Sequence, residues 1–566
     1  SFFQWLFDDS LGNMYRGVSA YHVANVLLQQ VQAQGLALNA KVYEIEPKII
    51  RPKGEHIICP RDGQPGAAYV DCIYGADQAG VSNFMLSYTW GYTLADIADT
   101  LLAFCKRKGL DPRRTYIWIC CLCINQHRVQ EMTRRGETVP FEAFEQSFGE
   151  RVTGIGKVIA MMAPWRRPVY LTRVWCDYEM FRAVDANIEV EVAMPTKEAN
   201  DLLEALHVGA GIEEMWTALT HVRIEEAEAS VAADREAILE LIRKGPGFRN
   251  LDIAVARKLQ QWIVQAAETY CWEHLREEST PTEDDVRLCT VVGDLLRKVG
   301  ELGRAMKVLH QGREIARDTK MLSSMDGAEL LRCIGIVKRE QGDLEDACME
   351  FEASKDTLER LGSLNTSTGA LVVQSIGIAH RERGSFHSAL DHFNQAKAIR
   401  MAIGELKSAA GANLLLSLGI AKRRSGDPDG ALVDIQRARS IMEEHGNIWT
   451  PHGADILRNL GVLKRESGDL DGALEDFHTT KEILTKLGLL DTFEGAQLLQ
   501  SIGLCLVCLG ELDAAAEWFL HARQLRERTQ TLETSAGAKL LVDMGKLRQQ
   551  QGDVQGAREE FQFAYG

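Results

Sequence analysis

Gly335-Ile-Val-Lys-Arg-Glu-Gln-Gly342-Asp-Leu-Glu-Asp-Ala347-Cys-Met-Glu-Phe351 is one copy of a pattern that fills the second half of the chain. Its first glycine recurs every 42 residues, as Gly293, Gly335, Gly377, Gly419, Gly461, Gly503 and Gly545. A second ladder follows seven residues behind, from Gly300 to Gly552, usually just before an Asp or Glu that can cap the next helix. Alanine recurs five residues later, from Ala305 to Ala557. A small residue at a fixed point in both helices of a pair lets them cross closely. One pair cannot bury its apolar face alone, so the pairs must stack. Residues 286–566 are expected to be all-α, a solenoid of seven helix pairs.

Moving outward, residues 206–285 are helical in pattern and acidic, with Glu213, Glu214, Glu225, Glu226 and Glu228 among apolar positions, and read as a connector. Residues 81–205 alternate strand and helix signals. Phe84 to Trp90 is a compact apolar strand, Gly91 breaks it, and Thr93 can cap a helix whose apolar face runs Leu94, Ile97, Leu101, Leu102 and Phe104. Thr115 to Ile124 is continuously apolar and is expected as a strand buried on both faces. A helix through Phe144, Phe148, Val152 and Ile155 follows, then strands at Lys157 to Met162 and Ile188 to Ala193. This alternation predicts an α/β domain with a parallel sheet, whose binding crevice lies at the carboxyl ends of the strands. Ser87 to Gly91, Asn125 to His127 and Pro164 to Glu179 fall at that edge. Residues 1–80 read as an N-terminal extension, a helix over Ser19 to Gln34 followed by loops.

The 566 residues are 45% hydrophobic and 25% charged, which suits a protein of several domains. A net charge of −16 argues against nucleic acid and anionic lipid as partners, and no apolar run reaches the ~20 residues of a membrane helix. Thirteen scattered cysteines point to free thiols and a cytoplasmic location, while the initial Ser leaves room for a removed targeting segment. No metal is expected, because Cys59 and Cys72 are isolated and a structural zinc wants four ligands in short paired spacings. Cys120, Cys121 and Cys123 alternate along a strand, and Cys505 and Cys508 share a helix face, so all five are read as core packing. No GxxxxGK[ST], HExxH or GxSxG occurs.

Tyr170 to Glu179 brings Trp175 and Cys176 just ahead of a carboxylate near a helix start. With Leu86-Ser-Tyr88 and the third strand, Trp175-Cys176-x-x-Glu179-Met180 resembles a Toll/interleukin-1 receptor (TIR) domain; Leu86-Ser-Tyr-x-Trp90-Gly91, Ile117-Trp-Ile119 and Cys123-Ile-Asn-Gln126 equally resemble its fungal relative, the heterokaryon-incompatibility (HET) domain. The resemblance implies a flavodoxin-like parallel sheet, self-association, and in the hydrolytic members an NAD nucleosidase. It maps the catalytic acid onto Glu179 and nucleotide contacts onto Ser87, Tyr88, Trp90, Gly91 and Trp175, with NAD as substrate and no cofactor required. The chemistry is consistent: breaking the nicotinamide–ribose bond builds positive charge on the sugar, which a carboxylate can stabilise. A plain helix-start acid is the other reading. Cys120 stands where the HET-type strand carries an acid, and Thr172-Arg-Val174 replaces the serines of the plant TIR motif.

Leu331, Gly335, Ala347 and Phe351 resemble the tetratricopeptide (TPR) motif, although the period alone also fits HEAT repeats. The resemblance implies a right-handed solenoid whose first helices line a groove. Arg297, Arg339, Arg381, Arg423 and Arg465, with Lys338, Lys422 and Lys464 beside three of them, are the expected contacts to an acidic peptide there. The alternative is a salt-bridge ladder between repeats. The chain is therefore expected to be a signalling or scaffold protein binding a protein partner, with an NAD hydrolase regulated by the array, or a structural subunit of a large assembly, as alternatives.

Overall fold

The computed structural model describes residues 15–135, 149–208, 224–228, 232–244, 247–277, 282–487, 489–529 and 531–565. The chain forms two compact units, Ser1–Ser279 and Thr280–Gly566.

The first unit holds a six-stranded sheet made of β1 (Arg16–Ser19), β2 (Ala79–Val81), β3 (Phe84–Ser87), β4 (Tyr116–Trp118), β5 (Lys157–Met161) and β6 (Glu189–Ala193). The order is β2-β1-β4-β3-β5-β6. Neighbours within β4-β3-β5-β6 run parallel, whereas β1 is antiparallel to both β2 and β4. The sheet is thus mixed, which corrects the wholly parallel sheet expected. The cause is the 1–80 stretch, which supplies β1 as well as a helix. A Cβ on Gly17 would lie 2.7 Å from the Ile117 carbonyl oxygen and one on Gly80 2.6 Å from the Tyr116 ring, so these glycines admit the extra strands.

Thr115 to Ile124 is not one strand. Pairing ends at Trp118, and Cys120–Cys123 turn into a short helix whose Leu122 and Cys123 amides donate to the Ile119 carbonyl. The ladder to β3 ends with Met85 opposite Trp118, while β3 runs on to Ser87 against β5 alone. Helix α1 (Leu94–Lys108) starts as expected, with the Thr93 hydroxyl accepting from the Asp96 amide at 3.0 Å. Helix α2 (Val174–Asp185) carries Glu179 in its middle, not at its start. Phe144 and Phe148 lie outside the described residues, as do Glu213 and Glu214. The long helix Phe248–Glu277 belongs to the first unit, where Leu259, Trp262 and Ile263 meet Met162, Trp165, Met194 and Leu202.

The second unit is the array: Glu283–Lys298 with Leu302–Asp318, Met325–Glu340 with Leu344–Arg360, Ser367–Glu382 with Phe386–Ala402, Ala409–Ser425 with Pro428–Glu444, Pro451–Ser467 with Leu470–Lys486, Phe493–Leu509 with Leu512–Arg528, and Ser535–Gln550 with Val554–Tyr565. These are seven TPR-like pairs. The first glycine ladder sits where the two helices cross. A Cβ would come 2.6 Å from Phe351 at Gly335, 2.7 Å from Phe393 at Gly377 and 2.5 Å from Phe519 at Gly503, so only glycine admits the aromatic ring of the second helix. The second ladder has left-handed φ, 92° at Gly342 and 90° at Gly468, which closes the first helix. First helices of successive pairs touch one another along the array, while each second helix touches the first helix of the next pair. The first helices therefore form the inner, crowded face.

Candidate functional site

Two clusters collect functional side chains, one in each unit. In the first, Ser87 ends β3 fully buried, and its Oγ lies 2.7 Å from the Tyr170 hydroxyl. Tyr170 in turn donates to the Cys176 carbonyl at 3.1 Å. Ser87 is also hydrogen-bonded to Glu179. That bond favours the charged carboxylate, so it opposes the effect of burial. Burial pushes Glu179 up to about 8, with Ser87 acting the other way, so the group is mostly neutral at pH 7. Its Oε2 is buried without a hydrogen-bond partner among the described residues.

The Trp90 indole donates to the Cys120 sulfur at 3.3 Å, and Cys120 in turn reaches the Tyr88 hydroxyl at 3.5 Å. Burial pushes the Cys120 thiol up to about 11, and the field of Glu179 adds to this. Gly91 is exposed, and a Cβ there would meet only the Thr89 hydroxyl, at 3.5 Å. Trp175 is half-buried, edge-on to Tyr178 at 6.1 Å. The fold thus gathers Ser87, Tyr88, Trp90 and Glu179 around Cys120 and Tyr170. Asp177, which the sequence reading missed, is wholly buried with both carboxylate oxygens unpartnered among the described residues, and burial plus Asp252 hold it well above the usual carboxylate range.

In the array, the arginines at the expected position form a ladder with glutamates. Arg297 meets Glu340 of the next pair at 3.0 Å, Arg339 meets Glu382 at 3.6 Å and Arg423 meets Glu466 at 2.9 Å. Each glutamate also contacts the arginine before it in sequence: Arg339 at 3.6 Å, Arg381 at 3.9 Å and Arg465 at 3.5 Å. The acids follow the arginine directly and are not those after the turn.

The three lysines face elsewhere. Lys338 binds Glu350 at 3.0 Å, Lys422 binds Asp434 at 2.7 Å and Lys464 binds Asp476 at 2.7 Å, all on the second helix of the same pair. These acids are buried and shared with Arg313, Lys397 and Arg439 of the preceding second helix. A lysine three residues after the ladder glycine thus turns toward its own second helix. Cys505 is buried as expected, but Cys508 is exposed.

A third glycine ladder escaped the sequence reading although its signal is present. Ser324, Thr366, Ser408, Thr450 and Thr534 each cap a first helix by accepting from the amide of the glycine three residues on. Arg424 was missed as well. It stands where Glu340, Glu382 and Glu466 stand in neighbouring pairs, a difference visible once the repeats are aligned.

No family model matches this chain, and no curated protein matches it. Among solved structures, it is similar to the apo form of RapI, at 12% identity and TM-score 0.42 over 50% of this chain and 96% of that one. A Rap protein complexed with competence and sporulation factor gives 15% identity and TM-score 0.41, over 66% of this chain and 97% of the other. The TPR-like repeats of a putative kinesin light chain from Podosopora anserina give 14% and 0.32, over 36% and 95%. At these scores no partner or activity carries over.

Proposed function

We propose that this chain is a scaffold or signalling protein that holds a protein partner against the inner face of its helical array. The observation that carries the reading is the face itself. Seven first helices line up side by side, and polar and charged side chains repeat along them at fixed positions, as a surface that reads an extended segment requires. No membrane-crossing helix competes for the role: among the described residues none is long and apolar enough. Charge reversal of Arg381 and Arg423 to Glu is expected to abolish capture of the partner that the unaltered chain retains from a lysate. Unchanged capture would remove the inner face from the reading.

A second reading concerns the first unit, in which the TIR-like resemblance makes Glu179 the acid of an NAD nucleosidase under the control of the array, or the domain a self-associating signalling module. It is favoured by one observation, a buried acid raised to about 8 beside the loop that would hold the nucleotide. Ser87, Tyr88, Trp90, Gly91 and Trp175 would form the nucleotide side of such a site.

A further inference from the structure

We propose that the inner face has one recognition point, a cationic cluster of Arg381, Arg423, Arg424 and Lys539, and that it takes a run of Asp and Glu side chains in an extended segment of the partner.

The ladder explains why the cluster is there. In pairs 2, 3 and 5 a glutamate lies between successive arginines and neutralises them. In pair 4 that glutamate is replaced by Arg424, which changes the local charge by two. Arg381 loses its forward partner and keeps only Glu382, at 3.9 Å. Arg423 keeps only the forward Glu466. Arg424 itself is exposed and makes no ion pair among the described residues. A further cation comes from three pairs away. Lys539, on the first helix of pair 7, is exposed and within the electrostatic reach of Arg424, Arg423 and Arg465. Burial and these arginines depress its ammonium, against the opposing pull of Asp543. Arg381 likewise feels Arg339 and Arg424, opposed by Glu382 and Asp455.

A cluster of like charges held by a rigid array is unfavourable until an anion arrives. Guanidinium groups suit carboxylates because two N–H donors match two oxygens. Four cationic heads carry more charge than a single small anion neutralises, whereas several carboxylates spaced along an extended peptide match them. The chain carries −16 overall, which opposes long polyanions such as nucleic acid and leaves a short acidic stretch as the fitting partner.

This rests on the scaffold reading, and one variant separates the two. Arg424→Glu restores the glutamate of the other pairs between Arg381 and Arg423. It is expected to leave the thermal midpoint equal or higher while weakening binding. The measurement is fluorescence anisotropy of the full chain with labelled decapeptides of Glu, of alternating Gly and Ser, and of Lys. Expected is selective binding of the Glu peptide, weakened roughly tenfold by Arg424→Glu and again by Lys539→Glu, and lost as salt is raised. Equal affinity of the variants and the unaltered chain for the Glu peptide would overturn the proposal. Binding of another peptide in its place would overturn the acidic assignment while the scaffold reading stands. Binding of none would count against both.

Discussion

Replacing Gly369 by alanine is expected to destabilise the array by about 2–4 kcal/mol. Gly369 lies in the first turn of the first helix of pair 3, where its amide donates to the Thr366 hydroxyl at 3.2 Å. A Cβ there would stand 1.9 Å from the Leu364 carbonyl oxygen and 2.6 Å from the carbonyl carbon. Both are backbone atoms, so no rotamer change relieves the clash. The Leu364 side chain packs against the cores on both sides, so moving this loop withdraws an apolar anchor from two pairs at once. The same approach recurs at Gly411, 2.1 Å, Gly453, 2.0 Å, and Gly495, 1.8 Å, which is why glycine holds this position in successive pairs. Since each pair is stable only against its neighbours, the loss is felt across the array. Gly303→Ala is the control. It lies on a helix with nothing within 4 Å of its Cβ, and should be neutral or stabilising by up to ~1 kcal/mol. Urea unfolding followed by circular dichroism compares the two; equal midpoints would contradict the packing described.

The second large effect is a pH dependence at Glu179. Its pKa is about 8 in the folded chain, against 4.5 when exposed. Below pH 4.5 both states hold the proton. Between those values the unfolded chain ionises while the folded chain does not, so stability falls as pH rises and levels off above pH 8. At ~1.4 kcal/mol per unit the total is on the order of 5 kcal/mol. Glu179→Gln keeps the shape but has no titratable proton. Its stability relative to the unaltered chain should therefore improve steadily from pH 5 to pH 8, as chemical unfolding at several pH values would read. A parallel slope for both proteins would mean that Glu179 is not held neutral. The same variant bears on the hydrolase reading. If the ionised carboxylate stabilises a sugar cation, nicotinamide release from NAD should rise with pH toward 8 and be absent in Glu179→Gln.

The array was the most legible part of the chain, because its determinants are local and repeated. A glycine that must admit a phenylalanine ring, or adopt a left-handed φ, leaves the same mark every 42 residues. The third ladder was equally visible and was passed over, since its cap pattern of Ser or Thr followed by Gly lies among ordinary helix signals. The α/β unit was read less completely. Helix α1 and its Thr93 cap followed from short-range pattern, and so did β5 and β6. The insertion of β1 depends on Gly17 passing the Ile117 carbonyl, a long-range contact that no periodicity announces. The apolar run from Thr115 carried no mark of where its pairing with β3 stops. Glu179, Ser87 and Trp90 were chosen from the sequence and do come together, but the Tyr170 relay and the buried Asp177 needed the packed structure. The arginine row was found for its charge. Its saturation by glutamates, and the one pair that escapes it, depend on how successive pairs stack.

Binding by the inner face of the array, rather than by the second helices, is directly testable. A photo-crosslinking residue in place of Leu371 probes the inner face, at the repeat position that Lys539 holds in pair 7, and one in place of Val433 probes the second helices; both native side chains are exposed. Cross-links from position 371 to an acidic segment of a partner, with none from position 433, are the predicted result. Cross-links from position 433 alone would contradict it.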